Sequence, residues 1–294
     1  MSLDELRTLL DRHARPDQST PIDDVLISKV GHTTPPAPSM SGAVLAVIAQ
    51  GAKRIALGDR VYEYGAGQYL IASVDLPVTG EFLQASADRP ALGFGLLLRP
   101  AAIAELMLQA PASPDPKAAP SGLVVSDAPA ELLDAVIRLV RLIEQPRDRA
   151  VLAPLIKREI LWRILTGEQG APVRQLGLAD SSLTHIARVV HWIRDHYNEP
   201  FRVEDLAQLA GMSVSAFYRN FQGVTATSPL QFQKQIRLQQ ARLLLATRPK
   251  DVTGVSRSVG YDSPSQFSRE YSRQFGVPPS QDVSRLRTPE PALL

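Results

Sequence analysis

Two stretches, GMSVSAFYRNF at residues 211–221 and GYDSPSQFSREY at residues 260–271, set hydroxyls, an amide and guanidinium groups among paired aromatics. Phe217 and Phe221, like Phe267 and Tyr271, stand four residues apart, so each pair shares one helical face and the polar groups take the other. Outward donors of this kind suit a polyanion. The groups that break bonds are missing or scattered. The chain has no cysteine, which removes disulfides, thiolate metal sites, cysteine nucleophiles and thiol redox sensing together. His13 and His32 belong to no H-x-H pair, and His185, His191 and His196 lack the i, i+4 spacing of a helical metal site. No catalytic constellation, metal or cofactor is expected. Charge points the same way: residues 183–287 carry 14 Arg and Lys against 8 Asp and Glu, whereas residues 1–182 carry 18 against 21. The basic surplus lies where the paired aromatics lie.

These groups need elements to hold them. In VEDLAQLAGMSVSAF, Leu206 and Ala207 fall on the inner face of one helix, Gly211 takes the turn, and Ser213 is placed to cap the next helix. The second copy, 49 residues on, has Val255, Ser256, Val259 and Gly260 in the corresponding places, with Ser263 as cap and Pro264 as first helical residue. Each copy predicts a helix-turn-helix. Gly211 to Phe217 is six steps and Gly260 to Phe267 seven, so the second turn should be the longer. Past the second helix the phase agrees again, with Pro229 eight residues after Phe221 and Pro279 eight after Tyr271. Ser228 to Gln231 reads as a capping box opening a helix of roughly 17 residues, about 25 Å long, between the copies. Generic helix packing does not produce two such copies with a shared downstream proline. Gly254, inside the second copy's first helix, should cost about 1 kcal/mol and leave that head less firmly held. Arg237, Arg242 and Arg273 read as solvated charges or as further contacts.

The rest of the chain reads differently. Leu3, Leu6, Leu9 and Leu10 predict a short helix over residues 3–15. From Ala43 to Leu98, AVLAVIAQ, RIAL, RVYEY, QYLIASV, EFLQAS and GFGLLL are short β-favouring runs separated by turn formers, Gly58-Asp59 among them. Their spacing suits a small antiparallel barrel or sandwich better than βαβ units. Residues 109–122, with four prolines, read as a loop. ELLDAVIRLVRLIE puts Leu132, Leu133, Val136, Ile137, Val140 and Ile143 on one stripe, and VLAPLIKREILWRIL continues as helix. Such helices either cover the barrel or pair with a second subunit. GEQGAPVRQLGLADSS, residues 167–182, is turn-rich and takes the domain boundary, giving domains 1–175 and 176–294. No apolar run reaches the ~18 to 20 residues of a membrane span, and MSLDELRTLL lacks the basic start and apolar core of a signal peptide. A cytoplasmic location without membrane contact is expected. Tyr62, Tyr64 and Tyr69 read as core aromatics rather than ligand contacts.

On AGMSVSAFYRNF, SPLQFQKQIRLQQARLLL and VGYDSPSQFSREYSRQFGVPPS, in that order, residues 183–287 resemble the C-terminal DNA-binding domain of AraC/XylS-type bacterial transcription regulators. AVIAQGAKRIALGDRVYEYGAGQYLIASVDLPV resembles the cupin-like effector domain of one subgroup. The resemblance implies an α+β chain: an N-terminal cupin-like antiparallel β-barrel with flanking helices, then an all-α domain with two helix-turn-helix motifs. It implies base contacts from Ser215, Tyr218 and Arg219 in the first recognition helix and from Ser265, Gln266 and Arg269 in the second. Spacing agrees, because these six avoid the aromatic faces. Either arginine suits guanine or phosphate, and Gln266 suits adenine. It also implies double-stranded promoter DNA, a small-molecule effector and RNA polymerase as partners, a homodimer, and activation in preference to repression. A cupin-type enzyme with an accessory nucleic-acid-binding module is the competing reading, and it needs catalytic groups this sequence does not present.

Overall fold

The computed structural model describes residues 3–110, 122–178, 181–247 and 251–285. They fall into two compact units that divide between Thr184 and His185. In the first, α1 (Leu3–His13) precedes eight strands: β1 (Val25–Val30), β2 (Ala37–Ser41), β3 (Val44–Gln50), β4 (Ala52–Leu57), β5 (Arg60–Gly65), β6 (Gln68–Ala72), β7 (Leu76–Gln84) and β8 (Ala91–Leu97). Then come α2 (Pro100–Met107), β9 (Leu123–Asp127), α3 (Ala130–Arg141), α4 (Pro146–Thr166) and α5 (Gly170–Gly177).

The strands pair as two antiparallel sheets, β1-β8-β3-β6-β9 and β2-β7-β4-β5. The expected antiparallel β-domain is therefore present in the form of two layers. All six β-favouring runs are strands, and Gly58-Asp59 is a two-residue hairpin turn between Leu57 and Arg60. Three strands stand outside that reading: β1, β2 and β9. β2, APSMS, lies at a sheet edge, where Pro38 has no inner neighbour to bond. The sheets bury alternate residues of β4, with Lys53, Ile55 and Leu57 inward. The proline-rich loop falls mainly on residues 111–121, outside the described ones.

ELLDAVIRLVRLIE forms α3 and a 3-10 turn, and its stripe is used inside the chain: Leu132, Val136, Ile137 and Val140 are buried, with α3 in contact with α1 and α4. The stripe is thus packed within the first unit, with α1 and α4 as its neighbours. Residues 167–182 are not purely turn: α5 occupies 170–177 and docks on α2.

The second unit is helical: α6 (Ser182–Asp195, whose first residues belong to the first unit), α7 (Val203–Leu209), α8 (Val214–Thr225), α9 (Pro229–Thr247), α10 (Val252–Ser258), α11 (Pro264–Phe275) and α12 (Pro279–Arg285). The helix between the copies, α9, has 19 residues rather than about 17, hence a length of about 28 Å. No helix among the described residues is long and apolar enough to cross a membrane.

Candidate nucleic-acid interface

The two copies close their turns with the same bonds. After α7, Gly211 takes φ +64°, Met212 N–H donates to Ala207 O at 2.9 Å and Gly211 N–H to Gln208 O at 2.9 Å. After α10, Gly260 takes φ +86°, Tyr261 N–H donates to Ser256 O at 3.0 Å and Gly260 N–H to Arg257 O at 3.0 Å. This pair of bonds around a left-handed residue satisfies the last carbonyls of a helix and turns the chain sharply. Four residues separate α7 from α8 and five separate α10 from α11, the difference that the spacing predicts. Both second helices are capped as expected: Ser213 Oγ accepts from Ala216 N–H and Ser263 Oγ from Gln266 N–H, each at 3.3 Å.

Behind the turns, aromatic rings fix how each second helix is rolled. Phe217 and Phe221 are fully buried with centroids 5.4 Å apart, and Phe221 meets Phe232 of α9 edge-on at 5.4 Å. In the second copy Phe267 and Tyr271 are buried 5.5 Å apart, and Tyr261 meets Phe267 edge-on. With those faces held inward, Ser215, Tyr218, Arg219, Ser265, Gln266 and Arg269 are all exposed. Ser215 matches Ser265 and Arg219 matches Arg269, each 50 residues apart. Tyr218 and Gln266 do not match: their counterparts are Ser268 and Ala216, both half-buried. Among the described residues neither Arg219 nor Arg269 has a carboxylate partner, so both charges face solvent uncompensated. Gln266 is tied back, its Nε2 donating to Glu270 Oε1 at 3.2 Å.

Arg237 and Arg242 are not solvated charges: they brace the second head. Arg237 of α9 donates to Tyr197 O at 2.6 Å, Gly260 O at 2.8 Å and Glu199 O at 3.3 Å, and lies over the Tyr261 ring. Burial draws its pKa below the usual value, against the pull of Tyr261, Asp262 and Glu270. It is a clamp on backbone carbonyls. A Cβ at Gly260 would stand 2.4 Å from Asn198 O and 2.9 Å from Arg237 Cζ, so the glycine answers a close approach as well as its φ. Arg242 Nε donates to Asp282 Oδ2 at 2.9 Å, and Tyr271 OH donates to the same oxygen at 2.8 Å, with Asp282 buried. The hydroxyl that separates Tyr271 from Phe221 therefore has a partner. Glu270 accepts from Lys234 Nζ at 2.9 Å and Tyr261 OH at 2.8 Å; burial opposes its ionised form, but these bonds and Gln266 hold its pKa below the ordinary carboxylate range.

Gly254 proves to be local design. Its N–H donates to the cap Asp251 Oδ1 at 2.8 Å, and a Cβ there would stand 2.1 Å from Asp251 Oδ2. Ser256, fully buried, donates to Thr253 O at 2.9 Å. Two of the histidines serve packing: His185 Nδ1 bonds Ala210 O at 2.8 Å and His196 stacks on Trp192 at 4.4 Å.

In the first unit, Tyr64 and Tyr69 are buried and Tyr62 half-buried, in keeping with core aromatics. Sequence reading missed Lys53. This side chain is 2 % exposed, its Nζ lies 5.3 Å from the centre of the Phe82 ring, and a β-bulge at Ala52/Lys53 interrupts the pairing with β7. Burial alone pushes its pKa down to about 7. The signal was present, since Lys53 shares the inward phase of Ile55 and Leu57.

Residues 21–172, just over half of the chain, match the AraC-type transcriptional regulator N-terminus, and residues 206–285 match a helix-turn-helix domain. The chain is similar to the transcriptional activator RhaS of Escherichia fergusonii, 28 % identical over 51 % of this chain and 53 % of that protein. It is also similar to the RCS-specific activator RclR of Escherichia coli, 31 % identical over 35 % and 36 %. It spans between 29 % and 60 % of the length of the curated relatives it matches. In fold it is similar to fatty-acid-bound ToxT of Vibrio cholerae, with a TM-score of 0.54, 11 % identity, and 88 % of this chain and 93 % of that one covered.

Proposed function

This chain belongs to the AraC-type transcriptional regulators, and we propose that it is a sequence-specific DNA-binding regulator that answers to a small-molecule effector. One observation carries the reading: two recognition helices, rolled alike by buried aromatics, present arginines at equivalent positions that have no carboxylate partner among the described residues. Ser215, Tyr218 and Arg219 read one major-groove segment and Ser265, Gln266 and Arg269 a second. With α9 of about 28 Å between the heads, they suit groove segments ~34 Å apart on one face of the duplex.

Residues 1–175 form the effector-binding part and residues 176–294 the DNA-binding part. The chain acts in the cytoplasm, as an activator that contacts RNA polymerase, and it pairs as a homodimer through a surface other than the buried stripe of α3. It is a regulator and not an enzyme, in line with the relatives it matches. The test is selection of bound duplexes from a random pool by the full chain. Enrichment of two short motifs about one helical turn apart supports the reading; a pool that stays random through selection overturns it.

A further inference from the structure

Between the end of β8, α2 and α4, the first unit holds a cavity of about 300 Å³. Leu96, Leu106 and Leu161 form its floor, all buried, while Leu97 and Leu155 leave apolar surface open at its side. Its lining also carries the Asp24 carboxylate and three cations, Arg99, Lys157 and Arg158. They differ in how fully they are engaged. Arg99 is held on both oxygens of Asp24, and the Asp23 carboxylate stands near it. Lys157 Nζ donates to Asp23 O at 3.0 Å and Asp24 Oδ2 at 3.3 Å, which leaves its third hydrogen. Arg158 bonds Glu105 at 2.7 Å, and that carboxylate is 64 % exposed. Ion pairs of this exposed kind contribute little and exchange readily.

A largely apolar cavity whose lining carries more cations than carboxylates recognises a molecule of matching polarity. A volume of about 300 Å³ lies at the lower end of small-molecule sites. We propose that this cavity is a binding site for a small apolar monocarboxylate, its chain against Leu96, Leu106 and Leu161 and its carboxylate on Lys157 and Arg158. The site names the effector class for the regulator described above and rests on that reading for its regulatory meaning. Its wall is positioned to matter. α2 is locked to α5, since a Cβ at Gly177 would stand 2.9 Å from Ala104 N and 2.7 Å from Met107 Sδ. A ligand that shifts α2 therefore shifts α5, the last element before α6.

The experiment is calorimetric titration of the full chain with octanoate, octanol and octylamine, for the wild type and for Ala102→Phe and Arg158→Ala. Ala102 lines the cavity from a half-buried position, so the larger ring fills it. Octanoate should saturate one site per chain, with octanol roughly tenfold or more weaker, as befits loss of a charge-assisted bond, and octylamine weaker still. Ala102→Phe should remove binding, and Arg158→Ala should narrow the gap between octanoate and octanol. Absence of saturable octanoate binding overturns the proposal. So does equal affinity for octanol, or undiminished binding by a folded Ala102→Phe chain. If that variant does not fold, the octanol comparison and Arg158→Ala decide. DNA selection on the same protein separates the two readings: failure of octanoate with motifs retained removes the pocket alone, and failure of the motifs with octanoate retained removes the regulator reading alone.

Discussion

Ala226 ends α8 at φ +54° in the left-handed region, whereas its counterpart at the end of α11 is Gly276, at φ +74°. A Cβ there costs about 1 kcal/mol. Ala226→Gly is accordingly expected to raise the unfolding free energy of the chain by about 1 kcal/mol, and Gly276→Ala to lower it by a similar amount, measured by denaturant titration. No gain for the first, with a normal loss for the second, would mean that Ala226 is stabilised by contacts its backbone does not reveal. Gly254→Ala provides the opposite case. Helix propensity alone expects a gain of about 1 kcal/mol, but the Asp251 cap occupies the space a methyl needs, so no gain is expected. The repeated glycine, cap and aromatics are legible in sequence because each acts on neighbours a few residues away. Arg237 is not, because its carbonyl partners lie 23 to 40 residues from it along the chain.

At the scale of elements, α9 does more than space the heads. Through Lys234, Arg237 and Arg242 it reaches α11, the turn after α10, and α12. Arg237→Ala takes this donor from the Tyr197 and Gly260 carbonyls, while Glu199 O keeps Gln233 Nε2, and should cost about 2 kcal/mol. Arg237→Lys should restore little of it, since one ammonium lacks the planar fork that spans them. Footprinting should show protection lost first over the segment read by α11; equal loss over both segments would contradict the assignment of this clamp to the second head. The second head, which Gly254 and Ser256 make weak on propensity, is thus held by polar bonds that propensity does not register. In the first unit the strands from β3 to β8 are legible from short alternating or apolar runs. β2 is a proline- and serine-bearing edge, β9 is five residues completing a distant edge, and α2 and α5 are short helices defined by docking on each other, so their signals are tertiary.

At the scale of the whole molecule, one buried amine links folding to pH. Lys53 has its pKa drawn from 10.5 to about 7 in the folded chain, so between those values the unfolded chain binds the extra proton. Stability should rise as pH increases from about 7 towards 10, with a slope approaching about 1.4 kcal/mol per unit. Tyr64, whose pKa burial raises, contributes the opposite trend only above its unfolded value of 10.0. Lys53→Met should flatten the rise, measured by thermal unfolding across that range; an unchanged profile would place the linkage elsewhere. Function rests on the two heads acting together along one duplex. The most direct test is the affinity of the full chain for its selected duplex and for a scrambled one, at several salt concentrations, beside Arg219→Ala, Arg269→Ala and the double variant. Each arginine that reads a base should cost about 1–3 kcal/mol of discrimination on its own segment, and the double variant should bind both duplexes alike. Phosphate contact alone would weaken both duplexes equally and lower the salt dependence; that result, with discrimination intact, would contradict base readout by these two helices.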